Sequence, residues 1–127
     1  EATVFHDPPD SNDPLAMHLA TVIVDPETGV VRVRDIYTID DCGVVINPML
    51  VEGQVHGGLA QGIGGALFEE CLYSPEGQLL NGSMADYLVP MAAEMPDIVV
   101  GHVETPETST KLGAKGIGDR TARSPER

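Results

Sequence analysis

Residues 49–71 read MLVEGQVHGGLAQGIGGALFEEC, and this segment decides which fold the rest of the chain can form. Its aliphatic residues recur every four positions, which is helical spacing, and they are Val51, Val55, Leu59, Ile63 and Leu67. The segment also contains six glycines, each of which costs a helix interior roughly 1 kcal/mol relative to alanine. If a helix forms despite this cost, its glycines predict that another element or a ligand approaches the helix backbone closely. Asn47-Pro48, just before it, is typical of a helix start.

At about 100° per residue, the predicted helix has two different faces. One face places two amides among bare backbone, through Gln54, Gly57, Gly58, Gln61 and Gly65. The far side is aliphatic, with Val55, Leu59, Ile63 and Ala66. Two interpretations remain open from this pattern. Either the helix packs tightly against a sheet and its glutamines are satisfied locally, or the amides and glycines face a ligand.

The flanking segments alternate as strands do. Residues 15–24 and 30–39 are separated by Asp25-Pro26-Glu27-Thr28-Gly29, a turn in which Pro fixes φ and Gly can adopt φ > 0. This pattern predicts an antiparallel hairpin, with Val33 and Tyr37 on one face and Ile36 and Thr38 on the other. A second hairpin is predicted over 72–80 and a further strand over 97–103. The expected fold is therefore α+β: antiparallel hairpins packed on a long Gly-rich helix, as part of a larger domain.

Charge and hydropathy exclude several classes of function. The chain has a net charge of −13, and all of its acidic residues except Asp119 and Glu126 precede residue 111. Of its basic residues, only Arg32 and Arg34 precede Lys111. Such a surface repels phosphate backbones, so no nucleic-acid partner is expected. No apolar run is long enough to cross a bilayer, so no membrane span is predicted either.

A second glycine-rich segment follows near the end of the chain. Residues 113–119 read GAKGIGD, in which three glycines surround Lys115 and Ile117 and a carboxylate closes the run. The pattern predicts a tight backbone loop beside an anionic group. It is weak evidence alone, since it matches neither the phosphate-binding loop of nucleotide hydrolases nor the dinucleotide-binding fingerprint.

Several motifs, taken together, carry a resemblance to a known family. They are DDCG at 40–43, INP at 46–48, VEGQVHGG at 51–58, QGIG at 61–64, YSPEG at 73–77 and the loop at 113–119. In this order and spacing they resemble the molybdenum-cofactor-binding large subunit of the molybdenum hydroxylases: xanthine dehydrogenase, aldehyde oxidase and aerobic carbon monoxide dehydrogenase. The resemblance runs from Asp7 to Asp119, nearly the whole chain, but it covers only a minor, C-terminal part of a full subunit. The carbon monoxide dehydrogenase-like branch is the most similar.

The resemblance implies a cytoplasmic oxidoreductase acting on a small-molecule substrate: an aldehyde, an N-heterocycle or a CO-like molecule. The implied cofactor is a molybdenum-pterin, expected as molybdopterin cytosine dinucleotide, whose metal is held by the pterin and by no protein side chain. The implied partners are the rest of the large subunit and the domains or subunits that carry [2Fe-2S] clusters and FAD. Cofactor contacts are implied for Gln54, Gly57, Gly58, Lys115, Gly116, Ile117 and Gly118, and the general-base position falls on Asp119.

The chain departs from the family pattern at its end. The general-base position holds Asp119 instead of Glu, and residues 120–127 are charged where relatives continue with an apolar, Gly-rich segment. We therefore expect a partial molybdenum-cofactor-binding domain over 1–119. The tail at 120–127 is expected to be an atypical basic end, truncated or frame-shifted. Such a fragment is expected to be inactive alone. The alternative is a non-catalytic acidic interaction module that keeps the fold without its active-site end.

Overall fold

A computed structural model describes residues 3–4 and 12–117. Three strands form one sheet in the order β1-β2-β3, and a single long helix packs on one face of it. The elements are β1 (Leu15–Val24), β2 (Val31–Asp41), α1 (Pro48–Leu67), a short 3₁₀ helix (Ala92–Glu94) and β3 (Asp97–His102). Gly118, Asp119 and the predicted tail at 120–127 lie outside the described residues.

The predicted first hairpin is confirmed. β1 and β2 pair antiparallel from Leu15 opposite Asp41 to Val24 opposite Val31. The turn between them is closed by the Asp25 carboxylate, which accepts hydrogen bonds from the Glu27 backbone N–H at 2.9 Å and the Thr28 hydroxyl at 2.7 Å. Gly29 takes a φ of 72°, a left-handed conformation that glycine adopts without the Cβ clash of other residues.

A bulge within this hairpin corrects the predicted faces of β2. The pairing passes from Thr21 opposite Asp35 to Val22 opposite Val33, so Arg34 has no partner in β1. An extra residue reverses the alternation of side chains along the bulged strand. Val33 therefore packs against the same core cluster as Ile36, and its predicted placement on the opposite face was wrong.

The predicted arrangement of antiparallel hairpins is only partly confirmed, because the sheet is mixed. β3 pairs parallel to β2, from Asp35 opposite Asp97 to Asp40 opposite His102. The chain reaches β3 only after crossing over through α1, and such a crossover is how two parallel strands are joined. The predicted second hairpin is reduced to one isolated antiparallel bridge, between Tyr73 and Leu79.

Helix α1 starts where the sequence indicated. The Asn47 side chain caps it by accepting a hydrogen bond from the Leu50 N–H at 3.3 Å, and Pro48 occupies the first turn. The helix ends at Leu67, the last aliphatic residue of the four-residue spacing, and the N–H groups of Phe68 and Glu69 both donate to the Gly64 carbonyl there. Its aliphatic face forms the core with Ile36 of β2, through Val55, Leu59 and Ile63.

The opposite face of the sheet is apolar, and no described residue covers it. Met17 of β1 is 74% exposed, Ile39 of β2 is 52% exposed and Val99 of β3 is 54% exposed. Leu19 and Tyr37, which lie opposite each other on β1 and β2, extend the same surface. Contiguous apolar surface of this kind is usually covered by another part of a protein. No helix among the described residues combines the length and hydropathy needed to cross a membrane.

Candidate functional site

An open groove lies along the face of α1 where the sequence placed two amides among glycines. It has a volume of about 400 Å³ and is lined by Gln54, Gly57, Gly58 and Gln61. Gln54, Gly57 and Gln61 are exposed, whereas Gly58 is buried. Within residues 12–117, neither glutamine side chain has a hydrogen-bond partner. A Cβ built on Gly57 would meet no atom within 4 Å, so a ligand can reach the helix backbone there.

Not every glycine of α1 faces open space as Gly57 does. A Cβ on Gly64 would lie 3.0 Å from the Pro90 ring and would overlap the Glu69 carboxylate. Packing inside the chain therefore favours glycine at position 64, whereas Gly53, Gly57 and Gly65 have open space in front of them. Close packing thus accounts for Gly64, and a ligand facing the open glycines stays a prediction.

The second glycine-rich segment is anchored to the end of β2. We call residues 113–117 the anchored loop. The Val44 N–H donates to the Gly113 carbonyl at 2.9 Å, and the Lys115 N–H donates to the Cys42 carbonyl at 2.7 Å. The approach depends on Gly43 and Gly113, which have φ values of 68° and 70°. A Cβ on Gly43 would overlap the Gly113 carbonyl oxygen.

The Asp41 side chain connects the end of β2 to the anchored loop, and the sequence pattern did not predict this role. Its Oδ1 accepts hydrogen bonds from the Gly43 N–H at 2.9 Å and the Thr105 N–H at 3.1 Å. Its Oδ2 pairs with Lys115 Nζ at 3.1 Å, and both side chains are largely buried, at 13% and 10% exposure. These bonds, first the one from the Gly43 N–H, lower the pKa of Asp41 well below its ordinary 3.8.

The depressed pKa of Asp41 predicts a specific loss of stability in acid. Because the folded state lowers this pKa, the carboxylate contributes stability above about pH 3.8 and loses it as the pH falls further. Asp41→Asn cannot titrate and is expected to lower the free energy of unfolding by roughly 1–3 kcal/mol near neutral pH. Urea unfolding at about pH 6 and about pH 2 should show the difference from wild type shrinking in acid. A difference that is the same at both pH values would contradict the assignment.

The residues predicted to contact a cofactor fall into two groups. Gln54, Gly57 and Gly58 line the groove on α1. In the anchored loop, the Lys115 ammonium is already paired with Asp41, Gly116 is exposed with open space around it, and Ile117 packs against the core. Gly118 and Asp119, predicted to complete the loop, lie outside the described residues.

Comparison with known proteins identifies the family to which this chain belongs. A family model described as the molybdopterin cofactor-binding domain matches residues 1–96. The carbon monoxide dehydrogenase large chain of Hydrogenophaga pseudoflava is 40% identical over 119 residues, which are 94% of this chain and 15% of that protein. The chain therefore belongs to the molybdopterin cofactor-binding domain family and corresponds to part of a molybdenum hydroxylase large subunit.

Solved structures support the same assignment. Quinoline 2-oxidoreductase from Pseudomonas putida 86 superposes with a TM-score of 0.79 at 45% identity, over 83% of this chain and 13% of that chain. Reconstituted CO dehydrogenase from Oligotropha carboxidovorans superposes with a TM-score of 0.86 at 37% identity, over 92% of this chain and 15% of that chain. This chain thus spans about 15% or less of the length of these relatives.

Proposed function

We propose that this chain is the part of a molybdenum hydroxylase large subunit that contributes pterin contacts and the general-base loop. The reaction would be the oxidative hydroxylation of a small aldehyde, N-heterocycle or CO-like substrate. One observation carries the proposal: in a chain of this family, α1 presents an open groove with exposed backbone at Gly57 and two amides that have no partner within residues 12–117. The alternative of an acidic interaction module has no comparable support.

The groove suits a flat ring system bearing hydrogen-bonding groups. An amide both donates and accepts, so Gln54 and Gln61 match the mixed donors and acceptors of a pterin edge. The absence of a side chain at Gly57 would let the ring lie against the helix. In the anchored loop, the backbone N–H groups of Gly116 and Ile117 donate to no atom within residues 12–117 and would serve an anionic group.

In the proposed reaction each residue has a limited task. The bound cofactor would supply the two-electron redox chemistry. Gln54 would orient it, the anchored loop would neutralise its charge with backbone dipoles, and Asp119 would accept a proton as general base. Lys115 would contribute through its ion pair with Asp41, because its ammonium is already occupied.

The wider assembly is part of the same proposal. We propose a cytoplasmic complex in which the rest of the large subunit completes the cofactor site. Partner domains or subunits would carry [2Fe-2S] clusters and FAD to take up the electrons. The cofactor would be the cytosine dinucleotide form of molybdopterin. The uncovered apolar face around Met17 and Ile39 is consistent with a chain that packs inside a larger subunit.

Gln54→Ala tests the proposal at the groove. In a large subunit that contains this chain, the substitution is expected to lower molybdenum content by about tenfold, as the loss of one hydrogen bond to a ligand would do. The fold should persist, because the Gln54 side chain is exposed and has no partner among the described residues. Metal analysis of the purified subunit measures the effect. Glu52→Ala, an exposed position on the same helix outside the groove, is the matched control. Equal molybdenum in both variants would refute the cofactor role of this face.

A further inference from the structure

We propose that Asp41 and Lys115 are positioning residues for the anchored loop. Their ion pair holds the loop so that the backbone N–H groups of Gly116 and Ile117 stay free for an anionic ligand. This inference rests on the proposed function for the identity of that ligand. The claim that the ion pair sets the position of the loop rests on the geometry of Asp41 and Lys115 and does not depend on which ligand binds.

The geometry assigns the two oxygens of Asp41 to different tasks. Oδ1 joins two backbone segments, because it accepts hydrogen bonds from the N–H groups of both Gly43 and Thr105. Oδ2 pairs with Lys115 Nζ at 3.1 Å, and the Thr105 side chain adds a further hydrogen bond to the carboxylate. The ion pair can therefore be removed while the two backbone contacts remain, which separates positioning of the loop from support of the surrounding fold.

Lys115 is the last residue of the loop that is fastened through polar groups. Its N–H donates to the Cys42 carbonyl, its ammonium pairs with Asp41, and the preceding Ala114 carbonyl accepts the Thr110 hydroxyl at 3.0 Å. Beyond this point Gly116 makes no polar contact within the described residues, and Ile117 is held by apolar packing on the core. The loop is thus fixed on both sides of Gly116, and the ion pair is the polar contact of Lys115 that a side-chain substitution can remove without changing the backbone bonds.

The experiment is hydrogen–deuterium exchange on the full chain within its assembled large subunit, with molybdenum content measured in parallel. Lys115→Met removes the charge but keeps the length of the side chain. Asp41→Asn removes the charge but keeps an oxygen for the Gly43 and Thr105 amides. Lys115→Arg keeps the cation and serves as the rescue variant. Asp25→Asn is the matched control, since the Asp25 carboxylate also accepts hydrogen bonds from neighbouring backbone N–H groups but pairs with no lysine.

We expect Lys115→Met and Asp41→Asn to raise the exchange rates of the hydrogen-bonded Gly113 and Lys115 amides by about tenfold or more, the scale of a lost charge-assisted hydrogen bond. In Lys115→Met, exchange in α1 should stay near wild type; Asp41→Asn, which also lowers the free energy of unfolding, is compared at the loop amides only. Lys115→Arg should keep the loop protected, and Asp25→Asn should leave the loop unchanged. Unchanged loop exchange in Lys115→Met, or uniform loosening of α1 and the loop together in that variant, would overturn the inference. If the loop exchanges faster while the molybdenum content stays full, the ion pair does position the loop, but the loop is not part of the proposed cofactor site.

Discussion

Gly43→Ala is expected to be among the most destabilising single substitutions in the described part of the chain. Gly43 has a φ of 68°, where a non-glycine residue costs roughly 1–2 kcal/mol. The added methyl would also overlap the Gly113 carbonyl oxygen and lie 3.1 Å from the Lys115 nitrogen. Overpacking of this kind adds roughly 1–3 kcal/mol, so the total should be roughly 2–5 kcal/mol. Urea unfolding followed by circular dichroism measures it.

Gly29→Ala provides the matched control for that experiment. Gly29 has nearly the same φ, 72°, but a Cβ there would meet no atom within 4 Å. Its substitution should cost only the conformational term, roughly 1–2 kcal/mol. The excess of Gly43→Ala over Gly29→Ala then measures the close approach of the two loops. If the two variants were equally stable, the contact between Gly43 and Gly113 would contribute nothing.

Asp119→Glu is expected to accelerate the proposed reaction on the order of 100-fold, because a displacement of about 1 Å in a catalytic group costs about that much. Asp is one methylene shorter than the Glu of the family pattern, whereas the two carboxyls have similar ordinary pKa values, about 3.9 and 4.3. The defect should therefore lie in reach rather than acidity. The measurement is the rate of cofactor reduction by substrate in a single turnover, in a full-length subunit with a family-like continuation after residue 119.

Cofactor content separates this effect from a loss of binding. Molybdenum occupancy should be equal in the Asp and Glu forms, while Asp119→Asn, which has no proton acceptor, should be slower than both. Equal single-turnover rates with Asp and with Glu would show that the carboxylate is not limiting and would reject the general-base role.

The local pattern was enough to predict the first hairpin and the start of α1. Asp25 to Gly29 is a strong turn signal, and Asn47-Pro48 marks a cap that the structure contains. The four-residue spacing of Val55, Leu59 and Ile63 likewise identified the buried face, because that spacing follows directly from helical geometry.

The errors concern interactions between distant segments. The bulge at Arg34 changes the face of Val33 without changing its neighbours in sequence, so simple alternation could not reveal it. The parallel direction of β3 depends on the path of the chain through α1, which strand composition does not encode. The role of Asp41 was missed for the same reason, since its partners Thr105 and Lys115 are remote. The glycines of 113–119 predicted a tight loop, but they did not indicate that Asp41 is the residue to which this loop is bound.

The junction between Asp41 and Lys115 also bears on the order of folding. These residues are 74 positions apart, whereas the turn from Asp25 to Gly29 and the cap from Asn47 to Leu50 are local. Contacts that close long loops form late, because the loss of chain entropy comes before any gain from the contact. During synthesis the hairpin and α1 can form before Lys115 has left the ribosome. We therefore expect the anchored loop to form last, after the groove on α1, so that the two proposed ligand contacts arise one after the other during folding.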